Sequence, residues 1–404
     1  MKWDAIVIGG GPAGSTVACL LARKGWRVAL LEGKPFPRPK VCGEYLSAAN
    51  MLLLEAIGIA DDYRALAGPE VRHVGLFAGK RSVVAPLRAL HGPGPKWGRA
   101  LGRDTLDTLL LHHARAAGAE IFQPCVAEFL ENSGAGFLCR TKMMKNGDQP
   151  EFQARVVIAA HGSWEPGSLP SQHSQPEPAP GHLFGFKAHL TQAELPAGLM
   201  PLLAFPGGYG GLVHSPGGLV SLSCCVRRDV LTDLARSPSG TAGDAVLTHI
   251  LETCPAVRPV LRKCQLADKW LSSGPIRPGI RDMYRDGIFR VGNAAGEAHP
   301  AVAEGIGMAM QSAWLLAESL PARAASISED TLQQAGREYA RRWLQTFVSR
   351  IRAARVFANL AMRPGFASVG AVALQCIPSM LGLCAAWSGK TDLAFSVREV
   401  GYNV

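Results

Sequence analysis

The stretch that decides the fold runs from Trp3 to Glu32. It reads W-D-A-I-V-I (Trp3–Ile8), G-G-G-P-A-G (Gly9–Gly14), S-T-V-A-C-L-L-A-R-K-G (Ser15–Gly25) and W-R-V-A-L-L-E (Trp26–Glu32). The first run is short, apolar and rich in β-branched residues, as a buried parallel strand is. The glycine turn follows, then a helix that Gly25 is placed to end, then a second apolar strand closed by Glu32. Each part has a physical task. Gly9 permits a tight turn, Gly11 lets backbone approach a pyrophosphate, and Gly14 lets helix and strand pack closely. The helix start that follows the turn offers free N–H groups and a positive dipole end to phosphates. Glu32 lies 18 residues past Gly14, placed to accept hydrogen bonds from a ribose. The unit predicts a dinucleotide site, and its acid disfavours a 2′-phosphate, so NADP is not the expected occupant.

Working outward, 404 residues exceed the usual size of one core and predict two packed lobes with an appendage. The chain is 48% hydrophobic and 18% charged, which excludes a disordered protein. The 45 glycines follow no G-X-Y period, and no repeat of solenoid length is visible. A net charge of +10 points to phosphate-bearing ligands, anionic lipid or nucleic acid without choosing among them. No nucleic-acid recognition motif stands behind the third, so no nucleic-acid partner is expected. The ten cysteines form no C-x-x-C pair, so no metal site is expected. Reduced thiols in a cytoplasm are the economical reading.

Three further segments carry a resemblance. They are P-F-P-R-P-K-V-C-G-E-Y-L-S (Pro35–Ser47), G-R-D-T-L-D-T-L-L-L-H-H-A-R-A-A-G-A (from Gly102), and D-G-I-F-R-V-G-N-A-A-G-E-A-H-P-A-V-A-E-G-I-G-M-A-M-Q-S-A (Asp286–Ala313). Together with the first unit they resemble the FAD-dependent oxidoreductases of the p-hydroxybenzoate-hydroxylase-like superfamily. That superfamily spans aromatic hydroxylases, flavin-dependent halogenases and geranylgeranyl reductases. C-G-E-Y-L-S is most similar to the geranylgeranyl-reductase branch, and the resemblance covers residues 1 to about 320.

It implies an α/β fold: a Rossmann-like FAD-binding domain interleaved with a β-sheet substrate domain, followed by a C-terminal helical cap. The expected boundaries are 1–70, 96–165 and 268–325 for the FAD-binding domain, 71–95 and 180–267 for the substrate domain, and 326–404 for the helical region. The implied FAD contacts are Gly9, Gly11, Pro12, Ala13, Gly14, Glu32, Cys42, Arg103, Val126, Gly162, Asn293, Gly305, Ile306 and Gly307. Arg103 would meet a phosphate or the ribityl chain. The helix opening near Gly305 would aim its positive end at the flavin pyrimidine. Cys42 either lies by the isoalloxazine or packs as a small hydrophobe.

The chain also departs from the family pattern. Asn293 replaces the aspartate of G-D-A-A-G, and His161 stands at the acid position of A-D-G-x-x-S. In the hydroxylases that acid is tied to NADPH binding, so the electron donor, NAD(P)H or a separate reductase, stays open. The halogenase signature W-x-W-x-I-P is absent, as are F-x-x-K-x-G and F-x-P-x-S-x-G.

Beyond residue 163 a Pro- and Ser-rich linker, W-E-P-G-S-L-P-S-Q-H-S-Q-P-E-P-A-P-G, predicts an exposed crossing loop or lid. H-L-F-G-F-K-A-H-L and G-G-L-V-S-L-S-C-C-V read as strands, with the glycine-rich stretch from Phe205 to Gly218 as the turn between them. Lys187, Tyr209 and His214 are the catalytic candidates, with His189 beside them. Against this, Lys187 and His189 share a strand face that could simply be solvated. Vicinal Cys224 and Cys225 would point to opposite faces, which argues against a redox disulfide.

Residues 335–363 predict a long helix. Trp343, Phe347, Ile351, Ala354, Phe357 and Ala361 lie on one arc, and Arg337, Arg341, Arg352, Arg355 and Arg363 on the other. Phe366–Trp387 carries no charge but is interrupted by Gly370, Pro378 and Gly382. A cap on the catalytic lobes is the first reading. A helical pair dipping into one leaflet on the inner face of the membrane, or a spanning helix, is the alternative. Either of the first two implies a lipophilic small-molecule substrate. The expected activity is monooxygenation of a hydrophobic aromatic or polyketide-like substrate. The alternative is reduction of isoprenoid double bonds, which lacks that branch's Y-x-W-x-F-P motif; halogenation is the weakest.

Overall fold

The computed structural model describes residues 2–90, 95–132, 136–143, 147–163, 167–172, 179–236, 240–377 and 379–385. Strand β1 (Lys2–Ile8) leads through the glycine turn into helix α1 (Pro12–Arg23) and strand β2 (Val28–Leu31). Gly25, at φ +79°, follows the end of α1 as expected. Strands β3 (His73–Ala78) and β4 (Arg81–Pro86) form a hairpin in a second sheet before the chain returns through helix α2 (Arg103–Ala116). Strands β5 (Glu120–Phe122), β6 (Cys125–Asn132), β7 (Phe137–Met143) and β8 (Glu151–Ala159) then complete much of the first sheet.

That sheet runs, from its edge pair Tyr284–Arg285, through β14 (Ile288–Arg290), β8, β1, β2 and β5. The β14–β8, β8–β1, β1–β2 and β2–β5 pairings are all parallel. A parallel sheet needs both faces covered. One face packs α1, α2 and α4 (Gly305–Ser319) around Val7, Leu30, Ile158 and Phe289. The other packs Trp3, Phe122, Phe152 and Leu169.

The second sheet is built from β9 (Leu183–Thr191), β10 (Leu199–Phe205), β11 (Gly208–His214), β12 (Val220–Arg227) and β13 (Leu271–Ile276) with β3 and β4. Its order is β9–β12–β11–β10–β3–β4, with β13 on β9. Two expectations need correction. The stretch after Phe205 is not one long turn, because Gly208–His214 is a strand between β10 and β12. Glycine is required there by packing, since a Cβ at Gly208 would stand 2.2 Å from the Phe205 ring, and one at Gly210 would be 2.8 Å from the Cys224 Cβ. The second sheet also extends past the boundary expected at 267, because β13 pairs with β9 through Ser272 and Ser273.

The outer face of this sheet is covered by helix α3 (Ala242–Thr253), with Cys224 in that core, and its inner face holds Cys225 with Tyr209 and Val213. The two cysteines do point to opposite faces. Burial pushes the Cys225 thiol up to about 12.

Helix α5 (Glu329–Ala361) starts at a capping box in which Ser328 and Thr331 satisfy each other's backbone N–H groups. Its buried stripe follows the predicted arc, with Trp343, Phe347, Ile351 and Ala354 in the first-lobe core and Ala358 and Ala361 under the second sheet. The predicted basic arc is exposed. Helices α6 (Pro364–Cys376) and α7 (Ser379–Ala385) fold back onto β3 and β4, so the described part of the C-terminal region is a cap. Trp164, Pro378 and Trp387 lie outside the described residues, as does most of the linker after Gln172. Among the described residues no single helix is long and apolar enough to cross a membrane; α5 and α6 together are bent by 104°.

Candidate active site

One cavity of about 1900 Å³ runs from the glycine turn, between the sheets, to the underside of α5 and α7. At its first end Gly9 adopts φ +108°, and a Cβ on Gly14 would sit 1.8 Å from the Gly9 carbonyl oxygen. Gly14 therefore serves helix–strand contact and does not face the cavity. Gly11 faces open space. The nearest groups to a Cβ there would be the Arg103 guanidinium at 3.8 Å and the Lys40 ammonium at 4.0 Å.

Both cations rest on Asp107, whose side chain is fully buried. Arg103 donates from Nε (2.7 Å) and Nη2 (2.9 Å), and Lys40 donates from Nζ (2.9 Å). Burial alone would raise the Asp107 carboxyl, but Arg103 and Lys40 hold it below its ordinary value. The pair 103/107 is one helical turn apart on α2, so the acid aims the arginine at the turn. Glu32 ends β2 at the same place. It accepts from the Gly10 N–H (2.7 Å) and the Lys34 N–H (2.9 Å) and lines the cavity.

Of the residues expected to contact FAD, Pro12, Ala13, Cys42, Val126, Gly162, Asn293, Gly305 and Ile306 also line the cavity. Gly307 does not. A Cβ there would stand 2.4 Å from the Asn50 amide, so this glycine serves packing at the start of α4. A helix start open to a cavity, two cations poised over it and a carboxylate at the adjacent strand end fit the pyrophosphate and ribose of FAD.

The middle of the cavity is built where Cys42–Gly43–Glu44 meets the second sheet. Glu44 has φ +62° and a fully buried side chain that reaches the β9 residues. It pairs with Lys187 Nζ, contacts His189 Nε2 at 3.1 Å, and accepts from Ser215 Oγ at 2.7 Å. Burial would raise the Glu44 carboxyl; the His189 hydrogen bond and the Lys187 charge outweigh it and hold it at about 2. The alternative of a solvated strand face is therefore wrong, because Lys187 is 2% exposed. Lys187 does not line the cavity, however, and neither does His214, whose Nε2 contacts the Leu195 carbonyl at 3.0 Å. Of the three catalytic candidates, Tyr209 lies in the cavity wall.

Tyr209 brings in a residue that sequence reasoning missed. Its hydroxyl lies 3.4 Å from His299 Nδ1. Burial, together with the positive charge of Arg355, holds His299 down at about 4, so the ring is neutral near pH 7. The signal for His299 lay in E-A-H-P of the third segment, and that for Glu44 in C-G-E-Y. Asp107 was visible as the acid four residues beyond Arg103. His161 behaves as a satisfied strand-end histidine, with Nε2 3.0 Å from Ser171 Oγ. Beyond Tyr209 the wall includes the apolar Met200 and Leu202 from β10, Phe357 and Leu360 from α5 and Leu381 from α7, while α5 also brings Gln345, Thr346, Ser349, Arg350 and Arg352 to the lining.

Residues 2–192 match the family model described as "FAD binding domain". Among curated relatives, conditioned medium factor receptor 1 of Dictyostelium discoideum is 27% identical over 373 residues, covering 85% of this chain and 68% of that protein. Digeranylgeranylglycerophospholipid reductase 1 of Methanothermobacter thermautotrophicus is 26% identical over 356 residues, covering 84% and 81%. Among solved structures, a myxobacterial chondrochloren halogenase aligns with TM-score 0.74 at 23% identity, over 87% of this chain and 82% of that one, a likeness of fold. The motifs, the cavity they frame and these relatives converge on an FAD-dependent oxidoreductase whose amino-terminal region, residues 2–192, carries the FAD-binding-domain family.

Proposed function

We propose that this chain is a monooxygenase that hydroxylates a hydrophobic aromatic or polyketide-like substrate. The observation that carries the reading is the far half of the cavity. Its wall includes Met200, Leu202, Phe357, Leu360 and Leu381, with Tyr209 set among them and His299, which does not itself line the cavity, against the Tyr209 hydroxyl. An apolar chain fits the wall under α5, and an aromatic hydroxyl fits the tyrosine. When bound, FAD supplies two electrons and the activation of O₂. The protein's part is to orient and to exclude water. Neutral His299 accepts from the Tyr209 hydroxyl, and the Tyr209 oxygen in turn accepts from a phenolic hydroxyl, which gives the phenol proton a direction to leave. Atoms balance as substrate C–H plus O₂, two electrons and two protons, giving C–OH and water.

With His161 at the position of the NADPH-linked acid, a separate reductase or carrier is the proposed electron source. A second reading, reduction of isoprenoid double bonds, is favoured by the archaeal reductase relative and the C-G-E-Y loop. Against it, β10 ends at Phe205, followed by Pro206, but places Pro201 and Leu203 where that branch's motif has its two other aromatic residues. The test is anaerobic reduction of the purified flavoprotein, followed by mixing with O₂ and a long-chain alkylphenol. The expected product is one oxygen heavier and forms only with O₂. Turnover of a polyprenyl substrate without O₂, giving a product heavier by two hydrogens, would establish the second reading instead.

A further inference from the structure

We propose that the face formed by the second half of α5 with α6 and α7 docks onto an anionic lipid bilayer, and that the cavity opens to its substrate at this face. The inference rests on the lipophilic-substrate reading only for what enters; the docking itself stands on the helices.

Helix α6 turns Ala367 and Ala371 inward against the second sheet. An ordinary surface helix would be polar on its other side. Here the outward stripe is Phe366, Val369 and Val372, which are exposed and carry no charge between them. Of the 13 large apolar side chains exposed among the described residues, eight lie between Leu344 and Met380. Such a concentration marks an interaction surface.

Charge selects the partner. Between Glu338 and Asp392 the sequence contains no acidic residue, while Arg352, Arg355 and Arg363 are exposed along α5 and at its end. An apolar stripe rimmed by arginines fits a membrane surface, with the stripe at the acyl boundary and the guanidinium groups on anionic headgroups. A protein partner would need acidic groups and a shaped groove, and α6 offers a convex apolar stripe. Continuity with the cavity is the independent observation. Val356 and Leu360 are both among the exposed apolar residues of this face and among those lining the cavity. The cavity mouth therefore opens among the side chains that would touch lipid. A lipophilic substrate could pass from bilayer to site without crossing water.

The test is flotation of the full-length holoprotein, without substrate, on vesicles of phosphatidylcholine alone or mixed with phosphatidylglycerol. The expected result is binding to the mixed vesicles that weakens with salt, and at least roughly fivefold weaker binding for each arginine removed, in Arg355→Gln and Arg363→Gln. Phe366→Asp and Val369→Asp should weaken binding at all salt concentrations. These residues point outward, so the variants should retain bound flavin and the parent's thermal midpoint. Leu66→Asp, on an unrelated exposed apolar residue, should bind as the parent does. Full-length protein that stays unbound on anionic vesicles at low salt overturns the proposal, whether residues 386–404 or a second copy covers the face. Binding unaffected by both classes of variant overturns it as well. Neither result bears on the oxygen chemistry, which is read from soluble substrate turnover.

Discussion

Gly11 and Gly14 stand one helical turn apart and answer to different constraints. A methyl group on Gly14 would meet the Gly9 carbonyl and the Ala160 Cβ, and backbone cannot yield as a side chain does. Gly14→Ala should therefore destabilise the fold by about 3 kcal/mol or more, read from urea unfolding. Gly11 borders open cavity, so Gly11→Asp should purify colourless and unfold at the midpoint of the flavin-free parent. Its carboxylate would take the place of the pyrophosphate beside Arg103 and Lys40. A yellow Gly11→Asp protein at full occupancy would contradict the assigned turn. Legibility at this scale was high. The spacing of the glycines and Glu32 marked them as parts of one turn, because such a turn is local in sequence. What stayed hidden was that Gly307 serves Asn50, a residue more than 250 positions away.

Among the elements, α5 was legible and β11 was not. The 3.6-residue period of α5 comes from a single buried face, and burial along it holds from Ala335 to Ala361. Trp343 packs edge-on to Phe347 with ring centroids 5.1 Å apart, and its ring would block any Cβ on Gly296. Trp343→Ala should cost about 3–5 kcal/mol of stability. Arg341→Ala, on the exposed arc, should stay within about 0.5 kcal/mol, both measured by chemical denaturation. Strand β11 was hidden because three glycines in seven residues carry the signal of a turn. Their real cause is close approach of neighbouring strands, which only the assembled sheet reveals.

At the scale of the whole molecule, Glu44 ties the first lobe to the second sheet. Its carboxyl is held at about 2 against an ordinary 4.5, so it is more acidic folded than unfolded. Its contribution is complete above about pH 4.5 and is lost as pH falls towards 2, on the order of 3 kcal/mol. His299, held at about 4 against 6.5, is harder to protonate folded than unfolded. It adds a second limb, with stability complete above about pH 6.5 and falling towards pH 4. Urea unfolding across pH should show both limbs. His299→Gln should flatten the upper one. Glu44→Gln should flatten the lower one and, by stranding the buried Lys187 ammonium, also destabilise the protein at neutral pH by about 3–5 kcal/mol.

The sequence by itself determined the parallel dinucleotide-binding sheet, the FAD-binding end of the cavity and the amphipathic α5. Each is written in short-range spacing: glycines within six residues, an acid at a strand end, a helical period. Only the tertiary structure decided which polar residues act together. Glu44 meets Lys187 across 143 positions, and Tyr209 meets His299 across 90. Such pairs depend on how two sheets are set against each other, and no local pattern records that. The same holds for the apolar face of α6, which becomes meaningful once its other side is seen to be already packed.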